Sequence, residues 1–148
     1  MELNYFDVEH AISVHDAIIE KSGGLLGGVN KNQLDATLTH IQNDDYYPDF
    51  ITKTTQLFYG INKGHCFTDG NKRSSIALVA YFLEINNVTF IGNRFFIEME
   101  NVAVDVANNI IIKKLLAEIL DSLIFENEYN ESLKLKIIKA KSSYNYNE

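Results

Sequence analysis

Apolar residues recur at helical spacing along the first part of the chain. Val8, Ala11, Ile12, His15, Ile18 and Ile19 share one face of a helix that Asp7 can cap and that runs to about Lys21, where Gly23 and Gly24 end it. Asn30 caps a second helix, with Gln33 at the reciprocal position of a capping box and Leu34, Leu38 and Ile41 as the buried stripe. The stretch from Asn43 to Asp49 contains Pro48 and reads as a loop. Phe50, Ile51, Leu57, Phe58 and Ile61 predict a third helix from about Asp49 to Lys63, against the low intrinsic propensity of its threonine-rich middle.

After a short loop from Gly64 to Gly70 the pattern changes. Ile76 to Leu83 is apolar on every face, which assigns that helix to the centre of the domain. It ends near Asn86 and Asn87, and Val88 to Gly92 reads as an extended connection able to pair as a very short strand. Two more helices, roughly Phe95 to Ala107 and Ile110 to Phe125, complete an all-α bundle. Beyond Asn127 the chain turns polar. Leu133, Leu135 and Ile137 alternate with lysines, which suits either a strand or a frayed helix, and Ser142 to Glu148 reads as a loose tail. The expected organisation is one helical domain over 1–126 and a polar extension of unassigned role over 127–148.

At 148 residues there is room for one core of ordinary size. A formal charge of −7 removes the broad positive field that nucleic acid or an anionic membrane surface would need, so neither is an expected partner. The longest apolar stretches, Ile76 to Leu83 and Ile119 to Phe125, fall short of the about 20 residues of a membrane span. The opening Met-Glu-Leu-Asn-Tyr-Phe-Asp lacks the features of a signal peptide, and the expected location is the cytoplasm. The single Cys66 can form neither an internal disulfide nor, alone, a thiolate metal site.

Chemistry concentrates in nine residues, His65 to Arg73, immediately before and within the first turn of the most apolar helix. A helix N-terminus presents unpaired N–H groups and a partial positive charge, so it disfavours cations, yet Lys72 and Arg73 sit there. An external polyanion resolves the conflict: backbone donors, Asn71, Lys72 and Arg73 would converge on phosphate oxygens. Gly70 allows a tight turn and close approach of phosphate to the backbone. Lys63 could add a phosphate contact from the preceding helix, with an exposed surface lysine the favoured reading. His65 has the chemistry of a general base, and Asp69 that of a hard oxygen ligand for Mg²⁺. Phe67 would anchor the loop in the core.

Each residue also has an ordinary structural role open to it. Asp69 and Asn71 are good helix caps, Lys72 and Arg73 suit a solvated helix face, and Cys66 reads as a packed side chain. His10, His15 and His40 read as structural, with His15 a candidate buried hydrogen-bonding anchor.

At these positions the chain resembles the Fic/Doc family, whose motif is His-x-Phe-x-(Asp/Glu)-Gly-Asn-(Gly/Lys)-Arg. His65, Phe67, Asp69, Gly70, Asn71, Lys72 and Arg73 match it throughout. Similarity to the Doc branch, the death-on-curing toxins, runs from about Val14 and His15 through Gly23, Gly24, the Asn32-Gln33-Leu34 helix, Tyr47 and Pro48 to about Ile124. The resemblance implies a compact Fic/Doc-type helical bundle whose motif loop leads into the buried central helix. Fic proteins that transfer AMP typically carry Gly at the position of Lys72 and a second Arg at that of Ile76. Lys72 instead resembles the Doc substitution, which goes with ATP bound in the opposite sense, its γ-phosphoryl group facing His65.

The resemblance therefore implies a protein kinase activity using ATP and Mg²⁺, with His65, Asp69, Lys72 and Arg73 as its catalytic residues. It further implies a target in translation, a threonine of elongation factor Tu, growth arrest, and a cognate antitoxin whose C-terminal segment blocks the site. AMP transfer on the same scaffold and a catalytically silent binding protein are the alternatives. The chain departs from the family at Cys66, where Pro is usual, and at Gly64, where Asn often precedes the motif histidine. Ser122 to Asn127 loosely matches the inhibitory helix of some Fic proteins and reads as coincidence.

Overall fold

Asp7 begins the first helix as its position implies: its carboxylate accepts the His10 N–H at 2.9 Å and opens α1 (Val8–Ser22). The structure is a computed structural model that describes residues 2–25 and 27–146, and it is all-helical. The chain continues through α2 (Lys31–His40), α3 (Phe50–Lys63), α4 (Asn71–Ile85), α5 (Asn93–Ala107), α6 (Lys113–Phe125) and α7 (Glu131–Tyr146). Helix α4 packs against α1, α3 and α5, which gives it the central place its apolar run demands. Leu78, Val79, Phe82 and Leu83 of α4 are buried with Phe58 and Ile61 of α3 and Met99 and Val106 of α5 in one core. One flank is more open than expected, since Ala77, Ala80 and Tyr81 are only half-buried and border surface grooves.

Several local expectations change. The capping box expected at Asn30 forms only in its forward half, the side chain of Asn30 accepting the Gln33 N–H at 3.0 Å. A full box forms at Asp49, whose carboxylate takes the Thr52 N–H while the Thr52 hydroxyl accepts the Asp49 N–H. The threonine-rich α3 persists because Thr54 and Thr55 turn their hydroxyls back onto the carbonyls of Phe50 and Ile51, each at 2.7 Å, and enter the core with their polar atoms satisfied. Val88 to Gly92 forms no strand. The bridge present among the described residues is between Val29 and Phe67, far apart in sequence.

The polar C-terminal segment is a helix rather than a strand. Leu133 is buried against the core, and Lys141 of α7 pairs with Asp105 of α5 at 3.1 Å. The expected tail is helical from Ser142 to Tyr146, and its last two residues lie outside the described ones. No described helix is long and apolar enough to cross a membrane.

Lys53 of α3 is fully buried, and its ammonium donates to the Ile41 carbonyl and to Asp44 Oδ1, both at 2.7 Å. Burial pulls its pKa down, but the contacts with Asp44 and Tyr5 outweigh that and leave it above the usual lysine value. The residue thus satisfies the carbonyl at the end of α2 and ties down the following loop. Lys53→Met should destabilise the fold by about 1–3 kcal/mol through the stranded Ile41 carbonyl. Asp44→Asn should cost less, because that carboxylate is 71% exposed. Urea midpoints of the two variants compare these effects, and an unchanged midpoint for Lys53→Met would remove the anchor role.

Candidate active site

Gly64 closes α3, and the chain turns sharply through His65, whose φ of 51° lies in the left-handed region rarely adopted by residues other than glycine. This turn leaves the His65 side chain exposed while Cys66 and Phe67 drop into the core. Burial pushes the Cys66 thiol up to about 11, so it is an unreactive packed group at neutral pH. The Phe67 ring stacks on that of His15 from α1, with centroids 3.9 Å apart and planes within 3°. His15 Nε2 also donates to the Asp69 carbonyl oxygen at 2.6 Å. This is the buried anchor that the apolar face of α1 suggested, and it joins the motif loop to α1.

The loop is clamped again by Asn71. Its side-chain amide accepts the Phe67 N–H at 3.1 Å and donates to the Phe67 carbonyl at 2.8 Å. Both ends of the Asn71 amide are therefore engaged in holding the loop, and what Asn71 presents outward is its backbone N–H at the start of α4.

Gly70 makes the entry to α4 possible. Its φ is 84°, and a Cβ there would lie 2.9 Å from Ile19 Cδ1 and 3.4 Å from the His15 ring. As the residue preceding α4 it supplies no side-chain cap, so the first-turn N–H groups have no capping acceptor. They open onto a cavity of about 250 Å³ lined by Asn62, Lys63, His65, Asp69, Asn71 and Lys72, with Thr68, Gly70 and Ala107 completing it. The backbone there presents donors and a partial positive charge, which suits an anion.

The Asp69 carboxylate accepts the Leu25 N–H at 3.1 Å through Oδ2 and the Gly70 N–H at 2.8 Å through Oδ1. Those two bonds, Leu25 first, hold its carboxyl below the usual carboxylate range against the opposing cost of burial, with Arg73 and then His15 adding to the lowering. Asp69 is consequently ionised at neutral pH, with lone pairs left for a cation. No group of three or more metal-ligating side chains converges among the described residues, so a cation held by Asp69 would complete its shell from substrate oxygens and water.

Two of the candidate phosphate-binding cations are used otherwise. Arg73 does not line the cavity; its guanidinium reaches the Ser22 hydroxyl and, at 3.3 Å, the Gly23 carbonyl at the end of α1. Lys63 borders the cavity, but its ammonium also lies 3.4 Å from both the Val106 and Ala107 carbonyls and bonds Asn109 Oδ1 at the end of α5. Lys72 is exposed at the cavity edge.

Gly24, Leu25, Gly28, Val29 and Asn30 pack against the motif loop, a long-range contact that sequence spacing does not show. Thr68 donates to the Gly28 carbonyl at 3.0 Å, and the Asn30 N–H donates to the Cys66 carbonyl at 2.7 Å. Gly24 lies so close to the motif that a Cβ would come within 2.6 Å of Asp69 Oδ2. The glycines from 23 to 28 signal a broken helix, but not that the released chain folds back over residues distant in sequence. Sequence reasoning missed Asn62 and Ala107, because their place in the wall depends on how α3 and α5 pack.

Comparison with known proteins agrees with this arrangement. A model of the Fic/DOC family matches residues 5–83, which include α1, the glycine segment, the motif loop and most of α4. The chain is also 28% identical over 89 residues to the protein kinase doc of Escherichia phage P1, covering 58% of this chain and 71% of that protein. The chain belongs to the Fic/DOC family, and the match spans the motif loop and the residues that clamp it.

Proposed function

We propose that the protein is a Doc-like toxin that transfers the γ-phosphoryl group of ATP to a serine or threonine hydroxyl of a protein in translation, with elongation factor Tu as the expected target. The observation that carries this reading is the cavity at the uncapped start of α4, which gathers an exposed histidine, an ionised aspartate and a lysine around unpaired backbone donors. Its volume, about 250 Å³, lies below the about 300 Å³ at which pockets for drug-sized ligands begin, which suits phosphate groups more than a whole nucleotide. The similarity to a relative named as a protein kinase supports transfer of the terminal phosphoryl group.

In this reading His65 takes the proton of the attacking hydroxyl as the oxygen–phosphorus bond forms and the bond to the ADP leaving group breaks, giving a phosphoprotein and ADP. The first-turn N–H groups and Lys72 stabilise charge on the phosphate oxygens, and preorganisation of these donors supplies most of the acceleration. Asp69 is the residue that would hold Mg²⁺, which when bound supplies further neutralisation of the phosphates. Asn71 contributes by fixing the loop, and Arg73 by fixing the end of α1 beside it. Inhibition by a cognate antitoxin and a cytoplasmic location complete the proposal.

Incubation with a bacterial extract, Mg²⁺ and ATP labelled at the α- or γ-phosphate tests the reaction. Label from γ alone, on a band of elongation-factor size, is the expected result. Label from α alone would establish AMP transfer instead, and label from neither would favour a silent binding protein. His65→Ala should lower transfer by about 10²–10⁴-fold while leaving the thermal melt unchanged, because the ring is exposed. Lys72→Gly should reduce γ-transfer by about tenfold or more and raise α-transfer. Unchanged products from that variant would show that Lys72 does not set nucleotide orientation.

A further inference from the structure

Helix α7 carries four lysines against one glutamate, in a chain whose net charge is −7. Two of them, Lys136 and Lys139, line a groove of about 400 Å³ between α7 and the start of α6. Lys114 lines it from the α6 side, and Ile112, Leu115 and Ala140 give it an apolar surface. Leu115 is buried, whereas Ile112 stands 62% exposed at the mouth.

The charges in this groove are not balanced. Glu118 is the carboxylate in its lining, and Lys136 already holds it at 2.6 Å. Lys114 and Lys139 pair with no carboxylate among the described residues. Lys114 also sits in the first turn of α6, which has no side-chain cap, so its charge opposes the helix dipole. Solvated lysines alone need no partner, and neither does a single exposed isoleucine. Here unpaired cations flank an apolar groove, and a ligand that answers both must carry negative charge beside an apolar group.

We propose that this groove docks an acidic segment of a partner polypeptide, with an apolar side chain seated against Ile112, Leu115 and Ala140 and carboxylates paired to Lys114 and Lys139. The seated side chain takes the exposed face of Ile112 out of water, and the ammonium groups donate charge-assisted hydrogen bonds to the carboxylates. The volume lies at the low end of the about 300–1,000 Å³ of ligand sites, so it takes one or two side chains of a longer segment. The net negative charge of the chain repels an acidic segment elsewhere, which favours its approach at the basic face of α7. Neither α6 nor α7 packs against α4, and no residue lines both this groove and the phosphate cavity. The docking therefore stands independently of the reaction proposed for that cavity.

The test is an NMR titration of the full chain with the blocked peptide acetyl-Glu-Glu-Leu-Leu-Glu-amide, alongside one counterpart with glutamine for each glutamate and another with alanine for each leucine. The acidic leucine peptide should move the methyl resonances of Ile112 and Ala140 and leave Asn71 to Arg73 unmoved. Each counterpart should bind about tenfold more weakly. Lys114→Gln combined with Lys139→Gln should also weaken the peptide about tenfold without lowering the thermal melt, because both side chains are exposed. Equal binding of either counterpart, an unaffected double variant, or no shift at Ile112 and Ala140 would each overturn the proposal. Phosphatidylglycerol vesicles that move these methyls where the peptide does not would overturn the polypeptide as occupant. Self-association that moves them without peptide would give the groove to a second copy of the chain instead.

Discussion

The contact between His15 and the motif loop is the constraint on which the site depends. One imidazole from α1 donates to the Asp69 carbonyl at 2.6 Å and stacks on Phe67 at 3.9 Å, fixing the loop both by a hydrogen bond and by a packed face. A carbonyl can only accept, so Nε2 is the donor in this arrangement. Asn71 secures the other side of the same turn through the two backbone atoms of Phe67. The polar backbone of a buried turn is thereby satisfied internally, which allows Gly70 to start α4 without a side-chain cap and leaves the helix donors facing the cavity. Loss of the clamp would affect the helix entry and the cavity together.

Much of this was legible in the sequence because it is local. The caps at Asp7 and Asn30, the all-apolar run after Ile76 and the spacing of His65, Asp69 and Lys72 all act over a few residues. What was not legible is long-range or depends on a neighbour's shape. The capping box moved from Asn30 to Asp49 because a box needs a return bond from the third helical residue, and Thr52 makes one. The alternation in the C-terminal segment suggested a strand as readily as a helix. The helical face of Leu133 and the pairing of Lys141 with Asp105 resolve that, and neither partner is close in sequence. The engagement of Asp69 by Leu25 is likewise invisible to any local pattern.

The same distinction separates the basic residues around the site. Helices α1 and α5 also end near the start of α4, and each brings carbonyls and partial negative charge toward the cavity proposed for phosphate. Arg73 takes the Gly23 carbonyl at the end of α1, and Lys63 takes those of Val106 and Ala107 at the end of α5. Sequence spacing placed these cations near the start of α4 but could not show that they face carbonyls. In these positions they offset the negative ends of α1 and α5, which would favour the phosphate of the proposed reaction through the protein's own backbone.

That division leaves Lys72 with a different standing from its neighbours. It sits in the first turn of a helix, where its charge opposes the macrodipole, and it lies exposed at the cavity edge. Arg73 offsets the same unfavourable position by reaching a helix C-terminus; Lys72 is offset only when negative charge enters the cavity. Asp69, ionised and held by two backbone N–H groups, is itself a fixed negative charge in that wall, so an arriving polyanion needs a cation or a proton nearby to balance it. In the proposed reaction, Lys72 and a metal ion held by Asp69 would answer the same electrostatic need from two sides. A glycine at position 72 would remove one of them and shift the balance of charge along a bound phosphate chain, which is the physical content of linking this residue to the direction in which a nucleotide lies.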